Sequence, residues 1–377
     1  MEKIKIGITG QSGFIGTHLT NYLKMKKEEI EIIPFFHDYF NNSHHLQAFV
    51  TQCDVIVHLA AMNRGDPETL YNCNLNLVNQ LISSLNSSNH KPHIIFASSI
   101  QEKNNNPYGR SKAYGRKQFE IWAQQNKARF TCLLIPNVFG PFGKPFHNSV
   151  ISTFCYQLTN KLHPKIEINS DLNLIYVISL VEKIYSIMMS EQSDSEIVIN
   201  AERKMRVKEI LSKLIEYQKL YFENHIIPKL NDDFEIALFN TFRSHINYDY
   251  FPVIPARNED KRGFLIELIK ELSGGQIFFS VTGPGITRGN HYHTRKIERF
   301  CVVSGEACLQ LRRIGTDRIV EYHLNGTKPS FVDIPIFYTH NISNEGETDL
   351  TTIFWTNELF NPQNPDTYYE KVNLDNS

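Results

Sequence analysis

Ile4-Lys5-Ile6-Gly7-Ile8-Thr9-Gly10-Gln11-Ser12-Gly13-Phe14-Ile15-Gly16 is the stretch on which the fold turns. Ile4, Ile6 and Ile8 alternate as on a short strand, and the run from Phe14 onward is compatible with a helix. Gly10, Gly13 and Gly16 stand three apart where the two would meet. A tight turn, a close backbone approach and helix-on-strand packing each call for a residue without a side chain. The first amides of the helix would then face a pyrophosphate laid over the turn. Apolar runs follow at 31–36, 54–60, 93–97 and 130–135, with helix-compatible stretches at 75–85 and 111–124 between several of them. Strands alternating with helices predict a parallel sheet covered on both faces. The expected fold is a doubly wound α/β sheet of Rossmann type.

Tyr108-Gly109-Arg110-Ser111-Lys112 puts a phenol and an amine four residues apart, on one face of a helix. A neighbouring ammonium is expected to lower the phenol's pKa and make it a usable acid or base. About ten residues upstream, Phe96-Ala97-Ser98-Ser99 ends an apolar strand where a hydroxyl can reach a substrate oxygen. A tyrosine and lysine so spaced are usually a surface pair. Here the glycine turn and the strand-end serines precede them in the right order.

In these pieces the chain resembles the extended short-chain dehydrogenase/reductase family, which handles nucleotide sugars. Thr9–Gly16, Asp54-Val-Ile-Val-His-Leu-Ala-Ala61, Tyr108/Lys112 and Asn137-Val-Phe-Gly-Pro141 carry the likeness over about the first 200 residues. The resemblance implies hydride transfer with NADPH, NADH being compatible as well. Tyr108 would be the general acid, Lys112 would hold the ribose, and Ser99, preferred over Ser98, would polarise the carbonyl. It places Gly10, Gly13, Phe14, Ile15, Gly16, His37, Leu59, Ala60, Ala61, Arg64, Tyr108 and Lys112 around the cofactor. Family members that dehydrate sugars follow the strand-end hydroxyl with an Asp-Glu pair. Ile100-Gln101 stands there instead, which favours reduction or epimerisation.

Composition bounds the rest. In 377 residues, 39 Lys plus Arg balance 40 Asp plus Glu, so no overall charge invites nucleic acid or an anionic membrane. The N-terminus enters a strand pattern without the features of a secretory signal, and no stretch has the apolar length that spanning requires. Six cysteines with no CxxC pair suit a reducing compartment, most of them as small buried hydrophobes. A cytoplasmic protein of two domains is expected, 1–245 and 246–377.

Past residue 245 the texture changes to short alternating segments, 276–281, 298–303, 307–312 and 349–355, separated by turn residues. An all-β sandwich or barrel is expected. Within it, alternation puts His291 and His293 on one face of a strand, Glu298 returns on a neighbour, and His340 follows downstream. Three imidazoles and a carboxylate suit a borderline divalent ion. The spacing GxxxxxHxHxxxxExxxxxxG followed by PxxxxHxxxN resembles the cupin superfamily. That resemblance implies a cupin barrel in which His291, His293, Glu298 and His340 ligate a metal, zinc foremost. Phe337 occupies a position where the motif normally has glycine.

The combination resembles bifunctional enzymes of capsular polysaccharide synthesis, a reductase fused to a metal cupin. It implies C3 epimerisation of a UDP-2-acetamido-2,6-dideoxy-4-hexulose, then reduction of its C4 ketone by NADPH, in a homodimer. Tyr292, Tyr338 and His323 are candidates for the proton transfer at C3. The competing readings are a reductase with a purely structural, dimerising cupin and a sugar-nucleotide sensor.

Overall fold

A computed structural model describes residues 2–190, 194–261 and 263–374. It contains two compact units, Met1–Val150 with Ile168–Val207, and Ile151–Glu167 with Lys208–Ser377.

The first unit is built on strands β1 (Ile4–Thr9), β2 (Ile30–Ile33), β3 (Val55–His58), β4 (His93–Ser99) and β5 (Phe130–Ile135). Strands β6 (Asn137–Phe139), β7 (Asp171–Tyr176) and β8 (Glu196–Val198) precede β9 (Arg203–Arg206). The main sheet runs β2-β1-β3-β4-β5-β8 with every neighbouring pair parallel. The order reverses beside β1, and the ends of β1 and β3 there form the crevice in which such sheets bind ligands. Helices α1 (Phe14–Lys24), α2 (Ser43–Gln52), α3 (Pro67–Ser88), α4 (Pro107–Asn126) and α6 (Val177–Met189) cover the two faces, with α5 (Val150–Thr159) between α4 and α6 in the chain.

The faces separate by strand alternation. Ile94 and Phe96 of β4 pack with Phe49, Leu81, Phe119 and Trp122 from α2–α4. Ile95 and Ala97 pack on the other side with Leu19, Leu180 and Ile184 from α1 and α6. This two-sided burial is why the strands read as nearly continuous apolar runs. The second strand ends at Ile33, three residues before the apolar run does, and a 3-10 turn (His37–Asn41) follows.

The second unit holds α5, α7 (Val207–Tyr217), a π-helical turn (Gln218–Glu223) and α8 (Asp233–Arg243) together with the β-structure. The change in texture near 245 marks the passage from helix to strand, while the compact unit takes in Ile151–Glu167 and everything from Lys208 onward. The reason lies in side chains the helices send onto the β-structure. Arg243 donates to the Ile334 carbonyl at 2.9 Å, and the Tyr221 hydroxyl donates to Asp333. Small pairs come first: β10 (Ile226–Ile227) with β13 (Lys270–Glu271), and the hairpin β11 (Arg257–Asp260)–β12 (Gly263–Ile266).

Then follow β14 (Gln276–Thr282), β15 (Thr287–Tyr292), β16 (Glu298–Ser304), β17 (Glu306–Arg313), β18 (Ile319–Asn325), β19 (Ser330–Ile334), β20 (Tyr338–Asn344), β21 (Leu350–Thr356) and β22 (Tyr368–Tyr369). They form two antiparallel sheets, β14-β21-β16-β19 and β18-β17-β20-β15-β22. On β16, Glu298 and Arg299 face opposite ways. Glu298 points to the histidines of the other sheet. Arg299 turns to the outer face and makes a bidentate pair with Asp333 at 2.6 and 2.9 Å, its guanidinium 3.7 Å over the Phe331 ring.

Candidate functional site

The glycine turn is shaped as its spacing predicts. Gly10 has φ +75°, and a side chain there would meet the backbone of Ala60 at 2.7 Å. Leu59 and Ala60 are held against the turn by bonds from their amides to Thr9. Gly16 lies so close to the Gly10 carbonyl that an added Cβ would stand 2.2 Å from it. Gly13 caps α1 without any side-chain hydrogen bond, so the first amides of the helix, beginning at Phe14 and Ile15, keep their positive end open. Ala61 continues the loop after β3. These residues can hold a dinucleotide pyrophosphate.

The Tyr108/Lys112 helix is anchored nearby. Asn106 accepts from the Gly109 amide at 2.7 Å and Pro107 fills the first helical position, a preorganised start. A side chain at Gly109 would collide with the Gln101 carbonyl at 2.1 Å, so the helix start seats against the 3-10 turn that follows β4. Lys112 is 4% exposed and donates to the Ala97 carbonyl at 2.8 Å, with its ammonium 5.7 Å from the Tyr108 ring centre. Burial pushes the Lys112 amine down to about 8, opposed by Cys132 and Glu102. The expected lowering of Tyr108 does not occur; burial pushes its phenol up to about 12. The ammonium is committed to a carbonyl, and desolvation wins. Tyr108 therefore stands protonated at neutral pH, the state a proton donor needs.

The two serines differ in engagement. Ser98 donates to the Glu102 carboxylate. Ser99 accepts from the Gln101 amide at 3.1 Å, which leaves its proton available for a substrate oxygen. Of the other residues expected around the cofactor, His37 is exposed at the start of the 3-10 turn after β2. Arg64 bonds the carbonyls of Phe146 and His147, tying two loops of the same unit.

In the second unit the four expected donors converge. Single atoms of His291, His293, Glu298 and His340 all lie within 4.8 Å of one another. His291 and His340 are cross-strand partners on β15 and β20, and a bulge between Gly289 and His291 aims the first. Asn290, at φ +60°, is the bulge's left-handed residue. Glu298 arrives from the facing sheet, 3.2 Å from Nε2 of both His293 and His340.

The protonation pattern is unusual. His293 Nδ1 is 2.5 Å from the Asp366 carbonyl, which can only accept, so Nδ1 carries a proton. Its Nε2 then turns a lone pair toward Glu298 whenever the ring is neutral. The buried His340 Nε2 makes no hydrogen bond although it stands beside the same oxygen. Desolvation, then the neighbouring His340 and His293, push His291 down to about 3. Desolvation is outweighed at the pair: Glu298 is held below the usual carboxylate range by His293 and His340, and His293 is raised by Glu298. Lone pairs and a carboxylate pointing at one another are satisfied by a cation between them, so the donor set fits a divalent ion.

Asp366 was not foreseen. Its carboxylate takes the amides of Thr294, Arg295 and Lys296 while its carbonyl orients His293. The Asn364-Pro-Asp turn is a visible signal, but nothing in it points 70 residues back. Phe337, where the motif expects glycine, adopts φ +59°. The glycine conformation persists without the glycine. Of the three proton-transfer candidates, Tyr292 turns away from His291 to stack on Tyr368, and His323 lies on the opposite face from His340. Tyr338 has the parity of His340, but its hydroxyl bonds that of Tyr248 at 2.6 Å.

A parallel sheet with an open glycine turn and a tyrosine–lysine helix at its strand ends defines a nucleotide-cofactor-dependent α/β enzyme. Residues 6–200 match the NAD dependent epimerase/dehydratase family, and residues 258–368 match the polysaccharide biosynthesis C-terminal domain. The chain belongs to the NAD dependent epimerase/dehydratase family, in the branch that carries this second domain. It is similar to the capsular polysaccharide assembling protein CapF of Staphylococcus aureus, with 33% identity, a TM-score of 0.62, and coverage of 98% of this chain and 100% of that one. CapF in a structure with the inhibitor 3-isopropenyl-tropolone is 31% identical at a TM-score of 0.59, over 98% and 100% of the two chains. A UDP-2-acetamido-2,6-beta-L-arabino-hexul-4-ose reductase of Pseudomonas aeruginosa is 29% identical over 97% of this chain and 98% of its own. The chain is thus an NAD(P)-dependent enzyme of nucleotide-sugar modification. Among the described residues no helix is long and apolar enough to cross a membrane.

Proposed function

We propose that this enzyme acts twice on one UDP-sugar. The C-terminal, cupin-type unit inverts C3 of UDP-2-acetamido-2,6-dideoxy-β-L-arabino-4-hexulose, and the N-terminal unit then reduces the C4 ketone to the L-talose product. The pathway is that of UDP-N-acetyl-L-fucosamine precursors for a capsular or O-antigen polysaccharide, in the cytoplasm, and the working form is a homodimer. The observation that carries the reading is a reductase-type proton donor and a convergent His3Glu cluster in a single chain.

For the reduction, Gly10, Gly13 and Gly16 hold the pyrophosphate and Lys112 the ribose of NADPH, which supplies a hydride to C4 when bound. Ser99 donates a hydrogen bond to the C4 oxygen and orients it. The Tyr108 hydroxyl delivers the proton that oxygen takes up, and the buried Lys112 amine stands beside the phenol as its charge develops.

For the epimerisation, His291, His293, Glu298 and His340 would hold a divalent ion, zinc foremost, whose Lewis acidity would acidify the proton beside the ketone. Asp366 fixes the His293 tautomer. A tropolone presents two adjacent oxygens, the donor pattern of a hydroxyketone, and its use as a CapF inhibitor supports an oxygen-chelating centre in this family. The near-complete burial of His293, Glu298 and His340 favours a second reading, a structural metal in a reductase.

Incubating the 4-keto sugar with metal-loaded enzyme in D2O, with and without NADPH, decides the matter. Deuterium should enter C3 without NADPH, and NADPH should be consumed only with the ketone present. No C3 exchange would leave the structural reading standing. No ketone-dependent NADPH oxidation would remove the reductase.

A further inference from the structure

We propose that Cys308, His323 and Glu345 form a second binding site for a thiophilic divalent cation of the zinc class, on the outer face of the β18-β17-β20-β15-β22 sheet. It is independent of the proposed reaction.

Cys308 and His323 are cross-strand partners on β17 and β18, on the face opposite Leu311 and His340. Glu345 follows β20, its amide bonded to the Glu306 carbonyl, which brings its side chain back over the same face. One ligand atom from each of the three lies within 4.8 Å of the others. A tetrahedral zinc site wants donors roughly 3.5 Å apart. The difference is small, and two of the three side chains can close it. His323 and Glu345 are 69% and 48% exposed and already meet at 3.1 Å. Cys308 is only 5% exposed, fixed in the sheet as the stationary donor. Solvent can complete the coordination from the open side.

The surroundings favour a cation. Glu306, Cys308 and Gln310 on β17 sit opposite Asn325, His323 and Glu321 on β18, a face with carboxylates and no lysine or arginine at those positions. Burial and the Glu345 and Glu321 carboxylates push the Cys308 thiol up to about 11. The charges that disfavour a bare thiolate there favour one neutralised by a divalent ion. A thiolate, an imidazole and a carboxylate together select zinc-like ions over magnesium or calcium. Bound there, the ion would staple the β17–β18 hairpin to the segment leaving β20.

Cobalt(II) reports the site on the full chain, because the His3Glu cluster contains no sulfur. Titrating metal-free protein should produce a sulfur-to-cobalt charge-transfer band that zinc displaces. The band should vanish in Cys308→Ser and survive in His291→Ala. Should Cys308→Ser fail to fold, the surface changes His323→Ala and Glu345→Gln serve, each weakening the band-forming site at least tenfold. A saturated, folded wild type without the band overturns the proposal. So does a band that persists in Cys308→Ser or an affinity unmoved by both surface changes.

Discussion

The two units solve the problem of a buried charge in opposite ways. In the first, Lys112 is inserted beneath a strand end with a backbone carbonyl for company, and the site is complete in itself. In the second, two imidazole nitrogens crowd one oxygen of Glu298, a donor set that fits a cation. The first arrangement suits a site that passes protons to a visiting molecule. The second suits a site that holds an ion, as proposed above. Charge satisfied by dipoles is ready at once; charge set against lone pairs waits for a partner.

The sharpest way to break this contrast is to disable each side separately. Tyr108→Phe should lower ketone-dependent NADPH oxidation by about 10²–10⁴-fold, the usual worth of a general acid, and leave C3 exchange intact. His291→Ala should do the reverse, measured by deuterium uptake.

Arg299 tests whether charge on β16 is structural where it is fully paired. Arg299→Leu strands Asp333, 1% exposed, without its partner and should cost about 3–5 kcal/mol in denaturant unfolding. Cobalt binding at the four-donor cluster should be unchanged once that protein is refolded.

Lys112 gives a pH signature. Its folded pKa lies below its unfolded value, so the folded state binds fewer protons and stability rises with pH between the two. Lys112→Met should therefore stabilise the cofactor-free chain by on the order of 3 kcal/mol below about pH 8. That advantage should fade to nothing as pH rises toward the amine's ordinary value of 10.5. An advantage that does not vary with pH would show that the lysine carries no desolvation cost.

The smallest effect belongs to the turn. Gly16→Ala forces a methyl against the Gly10 carbonyl and should cost about 1–3 kcal/mol, seen as lower thermal stability and weaker NADPH binding.

Much of the first unit could be read in advance because its signals are local. The glycine spacing, the Asn-Pro start of α4 and the Tyr/Lys interval each sit within one element or one junction. The four donors were legible for a related reason, since strand parity places His291 and His293 together and a known spacing supplies the others. What escaped depends on desolvation and distant pairing. No interval in the sequence reveals that Lys112 would bond a carbonyl and let burial raise Tyr108. The role of Asp366 is set by a loop closing across about 70 residues. His323 stood among the candidates for proton transfer at C3 until the register of β17, β18 and β20 put it on the face opposite His340. The helices 208–243 belong with the β-structure because of Tyr221 and Arg243, two polar tips on otherwise ordinary amphipathic segments.

The back-to-back placement of Glu298 and Arg299 on β16 makes the strand its own error check. Sliding it by one residue would thrust a guanidinium among three imidazoles and leave a carboxylate beside Asp333. Both faces would then fail together. Such a slip is a real hazard here, because the pairing with β21 already shifts between Val302 and Ser304. The adjacent opposite charges thus select one alignment out of several that the apolar residues alone would tolerate.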